Sequence, residues 1–173
     1  MLREFEFFHG VVLAEILHST NKAVSLERFS GDFNAGYILN HSIGLYVKHC
    51  NKRLTPWRFS FQPDHLQQML TMRRSLDKLF AMLVCNDDGI VCLSHEEVAR
   101  ILNPQQETTK WIRADRRPRH MYSVTGSDGN LEFKVGVSDY QVKLFDAIGT
   151  ISPGTPQTLN DLTHATQPEN TAS

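Results

Sequence analysis

The chain is poor in the residues that announce a reaction. Cys50, Cys85 and Cys92 are the only cysteines in 173 residues and form no CxxC pair. They therefore give neither a zinc ribbon nor a dithiol motif, and their odd number fits a reducing compartment better than a disulfide framework. The sequence holds no GxxxxGK[ST] loop, no GxGxxG turn and no GxSxG elbow. No apolar run approaches the roughly 20 residues that span a bilayer. The first segment, MLREFEFFHGVVLAEIL, mixes Glu4, Glu6 and Glu15 into its apolar residues and lacks a small-residue cleavage pattern. A cytoplasmic protein without a membrane partner is the expectation. Eighteen basic residues against 19 acidic ones leave a net charge of −1, so electrostatic attraction has to be local.

One local absence is informative. From Phe33 through Pro63 there is no Asp or Glu, while Lys48, Lys52, Arg53 and Arg58 all lie inside, with Tyr46 and Trp57 interleaved. A second basic run, WIRADRRPRHMY at 111–122, sets Arg113, Arg116, Arg117, Arg119 and His120 against a single Asp115. Arginine forks bind phosphate bidentately, and Trp or Tyr can stack on bases, so the two runs are candidate nucleic-acid-binding clusters. A solvated surface balancing acidic turns, with the aromatics in the core, is the bland alternative.

What remains is ordinary globular material: 40% hydrophobic and 21% charged residues suffice for one real core. Leu2, Phe5, Phe8, Val12 and Ile16 recur at helical spacing over residues 2–18. Residues 20–36 read as a connection, and 37–49 as a hairpin turning near Asn40-His41-Ser42. Trp57–Phe61 reads as a further strand. Pro63-Asp64 starts a helix carrying Leu66, Met69, Leu70, Leu76 and Phe80. Leu79–Cys85 is a buried strand, and an Asp88-Gly89 turn would set Cys85 opposite Cys92. Ser94-His95-Glu96-Glu97 is a capping box for a short helix. Asp128-Gly129 predicts a second hairpin pairing Tyr122 with Val135, Val124 with Phe133 and Gly126 with Leu131. Tyr140, Val142, Leu144 and Phe145 complete the core. From Gly149 on there are six threonines, three prolines and no aromatic residue, so 149–173 is expected to be disordered.

The fold expected is thus a single α/β or α+β domain over 1–148, with a mixed, largely antiparallel sheet and about three helices. Asp87, Asp88, Glu96 and Glu97 are close in sequence, but the turn and the capping box already use Asp88 and Glu97, so no metal site is assigned. His49 and Cys50 are adjacent and would point to opposite faces of a strand, which breaks convergence on a zinc ion.

The order helix, hairpin, third strand, helix, strand from Met1 to Cys85 resembles the αβββαβ core of the PD-(D/E)XK nuclease-like proteins. That family's pattern is an acidic residue followed, on the next strand, by an acidic residue, one spacer and a lysine. The nearest match is Tyr46-Val47-Lys48, with Tyr46 in the acid's place and Asn40 upstream where an Asp would sit. Because metal ligation needs carboxylates, the resemblance implies an inactive relative, or one whose acids lie elsewhere, with Glu15 and Lys48 as the remaining catalytic candidates. The main expectation is a nucleic-acid or phosphorylated-ligand binding domain contacting DNA or RNA through Lys48, Lys52, Arg53, Trp57, Arg58, Arg113, Arg116, Arg117 and Arg119. No cofactor is expected, a divalent metal entering only with the alternative of a metal-dependent nuclease with a degenerate motif. A protein-interaction module meeting an acidic partner is the third reading.

Overall fold

A computed structural model describes residues 1–103, 105 and 107–150. The first helix, α1 (Glu4–His18), buries His9, Val12 and Ile16, close to the face its periodicity predicts, although Leu2 stays exposed. Within the expected connection a short strand forms, β1 (Leu26–Arg28). It pairs antiparallel with β2 (Gly36–Leu39), which pairs antiparallel with β3 (Ile43–Cys50). Asn40 and His41, both at positive φ, make the turn between β2 and β3.

The chain then leaves this sheet. The strand β4 (Trp57–Phe61) and the helix α2 (Pro63–Ser75) intervene before β5 (Lys78–Cys85), which returns parallel to β3. Next, β6 (Gly89–Ser94) closes the five-stranded order β1-β2-β3-β5-β6. The capping box forms as the sequence predicts, with the Glu97 amide donating to Ser94 Oγ at 3.2 Å and the Ser94 amide to Glu97 Oε2 at 2.7 Å. It starts α3 (His95–Ile101). A second antiparallel sheet has the order β4-β7-β8-β9, with β7 (Lys110–Asp115), β8 (Ser123–Gly126) and β9 (Gly129–Asn130). The last helix is α4 (Asp139–Thr150).

Burial pattern decides which sheet each strand joins. β3 and β5 are continuous apolar runs, covered on both faces. Their one face packs α1 and α4 through Val12, Ile16, Leu45, Met82, Tyr140 and Leu144. The other packs α2, α3 and the second sheet through Tyr46, Leu83, Phe59, Phe61, Met69 and Ile112. β4 instead alternates buried and exposed, Trp57-Phe59-Phe61 inward and Arg58-Ser60 outward, as a sheet with one open face requires.

The α/β class with mostly antiparallel pairing is as expected, with four helices and two sheets among the described residues rather than about three helices and one sheet. The third strand of the meander is β1, not Trp57–Phe61. Two registers differ. Cys85 pairs with Gly89, and Cys92 with Met82, so Asn86-Asp87-Asp88 is the loop and the two cysteines are not opposite each other. Within that loop the Asp88 carboxylate is held by Arg116 and Tyr122. In the other hairpin Tyr122 does bridge Val135, but at the tip Gly126 pairs with Gly129 and the turn is Ser127-Asp128. Phe133 consequently lies exposed instead of opposite Val124. Both tip glycines press on α3. A Cβ on Gly126 would lie 2.3 Å from the Ile101 carbonyl oxygen, and one on Gly129 would lie 2.6 Å from that of Arg100.

Among the described residues no helix is long and apolar enough to cross a membrane. α4 runs into the segment expected to be disordered, and the rest of that segment lies outside the described residues.

Candidate functional site

Pairing of β4 with β7 brings the two basic runs together. Arg58 stands directly opposite Arg113, and Ser60 opposite Trp111. These side chains point away from the core, since Phe59, Ile112 and Ala114 between them are buried. Arg58 lies over the Trp111 ring, 4.6 Å from its centroid, which makes a flat cationic platform. Arg113 reaches Asp115 at 2.9 Å. Like charges directly opposite across strands are destabilising, and Asp115 pairs directly with one of the two guanidiniums. On the next strand Thr125 pairs with Arg113 and adds an exposed hydroxyl.

The loops at one end of this sheet extend the basic surface. Thr55 Oγ1 donates to Asp115 Oδ1 at 2.6 Å and accepts from the Arg116 amide at 3.2 Å, tying the 51–56 loop to the end of β7. Lys52 and Arg53 lie exposed in that loop, and Arg117 and Arg119 lie exposed in the turn after β7.

Three of the candidates go elsewhere. Trp57 is 3% exposed, packs edge-on to Tyr122 and donates its indole N–H to the Lys52 carbonyl at 2.8 Å. It belongs to the core and offers no stacking face to a base; Trp111 is the aromatic at the surface. Arg116 grips Asp88 with two bonds, Nε to Oδ2 at 2.6 Å and Nη2 to Oδ1 at 2.9 Å, and covers the Tyr122 ring. Tyr122 also donates to Asp88 Oδ2, at 2.5 Å, and burial pushes its pKa well up. The fork of Arg116 is thus spent inside the protein.

Lys48 is the third. β3 runs on past the start of β2: Tyr46 pairs with Gly36, the Val47 amide donates to the Ala35 carbonyl, and Lys48–Cys50 continue beyond. A cleft of about 300 Å³ opens there, lined by Phe5 and His9 from α1, Phe33 and Asn34 before β2, Tyr46, Lys48 and His49 from β3, and His65 and Gln68 from α2. Lys48 Nζ lies 3.0 Å from His65 Nδ1, which also accepts from the Gln62 amide at 3.1 Å. Nδ1 is therefore the unprotonated nitrogen and the proton sits on Nε2. Burial lowers the Lys48 pKa to about 8, against a smaller opposing pull from Asp64. Burial, with His49 adding to it, lowers that of His9 to about 4. His49 and His65 shift down for the same main cause. Tyr46 donates to Gln68 Oε1 at 2.6 Å.

The sequence pointed to Lys48 and Tyr46 here but not to His9, Asn34, His65 or Gln68. Only His65 carried a signal, as the third residue after the Gln62 that precedes Pro63. Glu15 is not part of this cleft. It lies six residues beyond His9, about 9 Å along the helix, accepts from Tyr140 Oη at 2.6 Å and lines a different cleft with Asp87 and Gln141. Asn40 sits at the far end of β2, accepting from the Ser25 amide. Glu15 and Lys48 therefore do not form a catalytic pair. Among the described residues no group of three or more His, Cys, Asp or Glu is arranged to hold a metal ion.

Comparison with protein-family models, with curated proteins and with solved structures finds no match for this chain.

Proposed function

We propose that the chain is a nucleic-acid or phosphorylated-ligand binding domain whose contact surface is the outward face of the second sheet. The observation that carries this reading is the direct opposition of Arg58 and Arg113 beside Trp111 on an open face. Opposed guanidiniums cost stability in the free protein, and phosphates laid between them would remove that repulsion. The Arg58–Trp111 platform offers a π-surface of the kind on which bases stack, worth about 1–3 kcal/mol per base. Lys52, Arg53, Arg117 and Arg119 extend the positive surface from the neighbouring loops. The three unpaired thiols favour a cytoplasmic setting for this activity.

The frame is consistent with a relative of the PD-(D/E)XK nuclease-like fold. An antiparallel meander, β1-β2-β3, is followed through α2 by a strand parallel to β3, and Lys48 takes the place of the pattern's lysine. Tyr46 stands in the acid's place, and no carboxylate lines the cleft. This favours binding over hydrolysis.

A direct test is binding of a labelled single-stranded oligonucleotide at low salt. Changing Arg58 and Arg113 to Ala together should weaken it at least tenfold, and Trp111→Ala should weaken it by a similar amount. Undiminished binding by both variants would reject this surface. Metal-dependent cleavage of the oligonucleotide would favour the nuclease alternative. Binding of an acidic protein with no oligonucleotide binding would favour an interaction module.

A further inference from the structure

We propose that the cleft where β3 outruns β2 is a proton-coupled binding site for a tetrahedral oxyanion, the chemistry of a phosphate or sulfate group, held by Lys48 and His65. The inference is independent of the basic sheet face, which involves none of these side chains.

The donors converge from three elements. Lys48 keeps two ammonium hydrogens beyond the one directed at His65 Nδ1. Since Nδ1 of His65 accepts from Lys48 and from the Gln62 amide, its Nε2–H is a donor, and the ring also has the Ser60 backbone as a hydrogen-bond partner. Gln68 uses its carbonyl oxygen to accept from Tyr46, which leaves the amide hydrogens free to donate. Asn34 lines the same space. Phe5 and Phe33 form apolar walls beside these donors.

Charge makes the case for an anion. The cleft gathers Lys48, His9, His49 and His65 with no carboxylate in its lining. From outside, Glu4 on α1 acts on His49, and Asp64 on α2 acts on Lys48 and His65. Glu4 is also held by the Asn51 amide group at 2.7 Å, and Glu6 turns back to cap the Arg3 amide. On β2, Tyr37 Oη bonds His9 Nδ1 at 2.9 Å. Burial, with the Lys48 ammonium beside His49 and His65, favours the neutral imidazoles. A dianion between them supplies the missing counter-charge, so binding raises their proton affinity and takes up protons from solution. Affinity therefore rises as pH falls below the ordinary histidine range.

Sulfate is the probe, because it does not titrate near neutrality. Binding is measured by calorimetry at pH 7.5 and 5.5, in pairs of buffers differing in ionisation enthalpy, on protein carrying Arg58→Ala and Arg113→Ala so that the opposed arginines of the sheet face are removed. The expected results are an affinity at least tenfold tighter at pH 5.5 and an uptake of close to one proton per sulfate. Loss of binding in Lys48→Met is also expected. Should that variant fail to fold, His65→Gln must cut the proton uptake by at least half. No sulfate binding by folded protein at pH 5.5, equal affinity at the two pH values, or binding indifferent to a folded Lys48→Met or to His65→Gln would overturn the proposal. Oligonucleotide binding by protein with Arg58 and Arg113 intact is read separately, so either idea can fail alone.

Discussion

Arg113 and Arg116 are three residues apart in one basic run, yet one faces solvent and the other is nearly enclosed. Arg116 is 15% exposed and Asp88 23%, and they share a bidentate pair with Tyr122. Asp88→Ala would strip a guanidinium and a phenol of their common acceptor. It should cost about 2–4 kcal/mol in urea denaturation, while oligonucleotide binding by the folded fraction stays unchanged. Lys48 and His9 carry a pH signature. Each has a folded pKa below its unfolded value, so the unfolded chain binds more protons between the two values and stability rises with pH across that window. For His9 the window runs from about 4 up to 6.5, and for Lys48 from about 8 up to 10.5. Lys48→Met should therefore be more stable than the wild type at pH 7, with the gap narrowing above pH 8. A pH-independent gap in chemical denaturation would contradict the lowered amine pKa.

At the scale of elements, turn residues misled where tertiary contacts outbid them. Asp-Gly is a strong hairpin signal, but Asp128 accepts from Lys110 at 2.9 Å and from the Asn103 amide at 2.8 Å. Gly126 and Gly129 serve close approach to α3 rather than a special turn. Either glycine changed to Ala would clash with helix backbone and should cost about 2 kcal/mol or more, read as a lowered melting temperature. An unchanged melting temperature in both variants would refute the close contact. The Ser94–Glu97 box was legible because its bonds are local. β1 was not, since Leu-Glu-Arg has no pattern of its own and forms a strand only by pairing with β2. Trp57 shows the same limit. Its neighbours are basic and it reads as surface, yet the alternation of β4 sends every odd position from 57 to 61 inward.

For the whole molecule, composition and periodicity were enough to anticipate an α/β body with strands buried on both faces. They could not assign β4 to a second sheet, because its pairing with β7 joins residues about fifty positions apart, Arg58 to Arg113 among them. The proposed binding face is a product of that long-range pairing, whereas the cleft forms between α1, β3 and α2. Sequence clusters of basic residues were therefore a fair guide to composition and a poor one to which side chains are free. The most direct measurement is the salt dependence of oligonucleotide binding. Plotted as log affinity against log salt, the wild type should fall with a slope that shrinks by about 0.7–0.9 for each phosphate contact removed. Arg58→Ala with Arg113→Ala should flatten it by close to two such steps, whereas Arg116→Ala, in its folded fraction, should leave it intact. A slope unmoved by the Arg58 and Arg113 changes, or one flattened by Arg116→Ala instead, would contradict the second sheet's outward face as the binding surface.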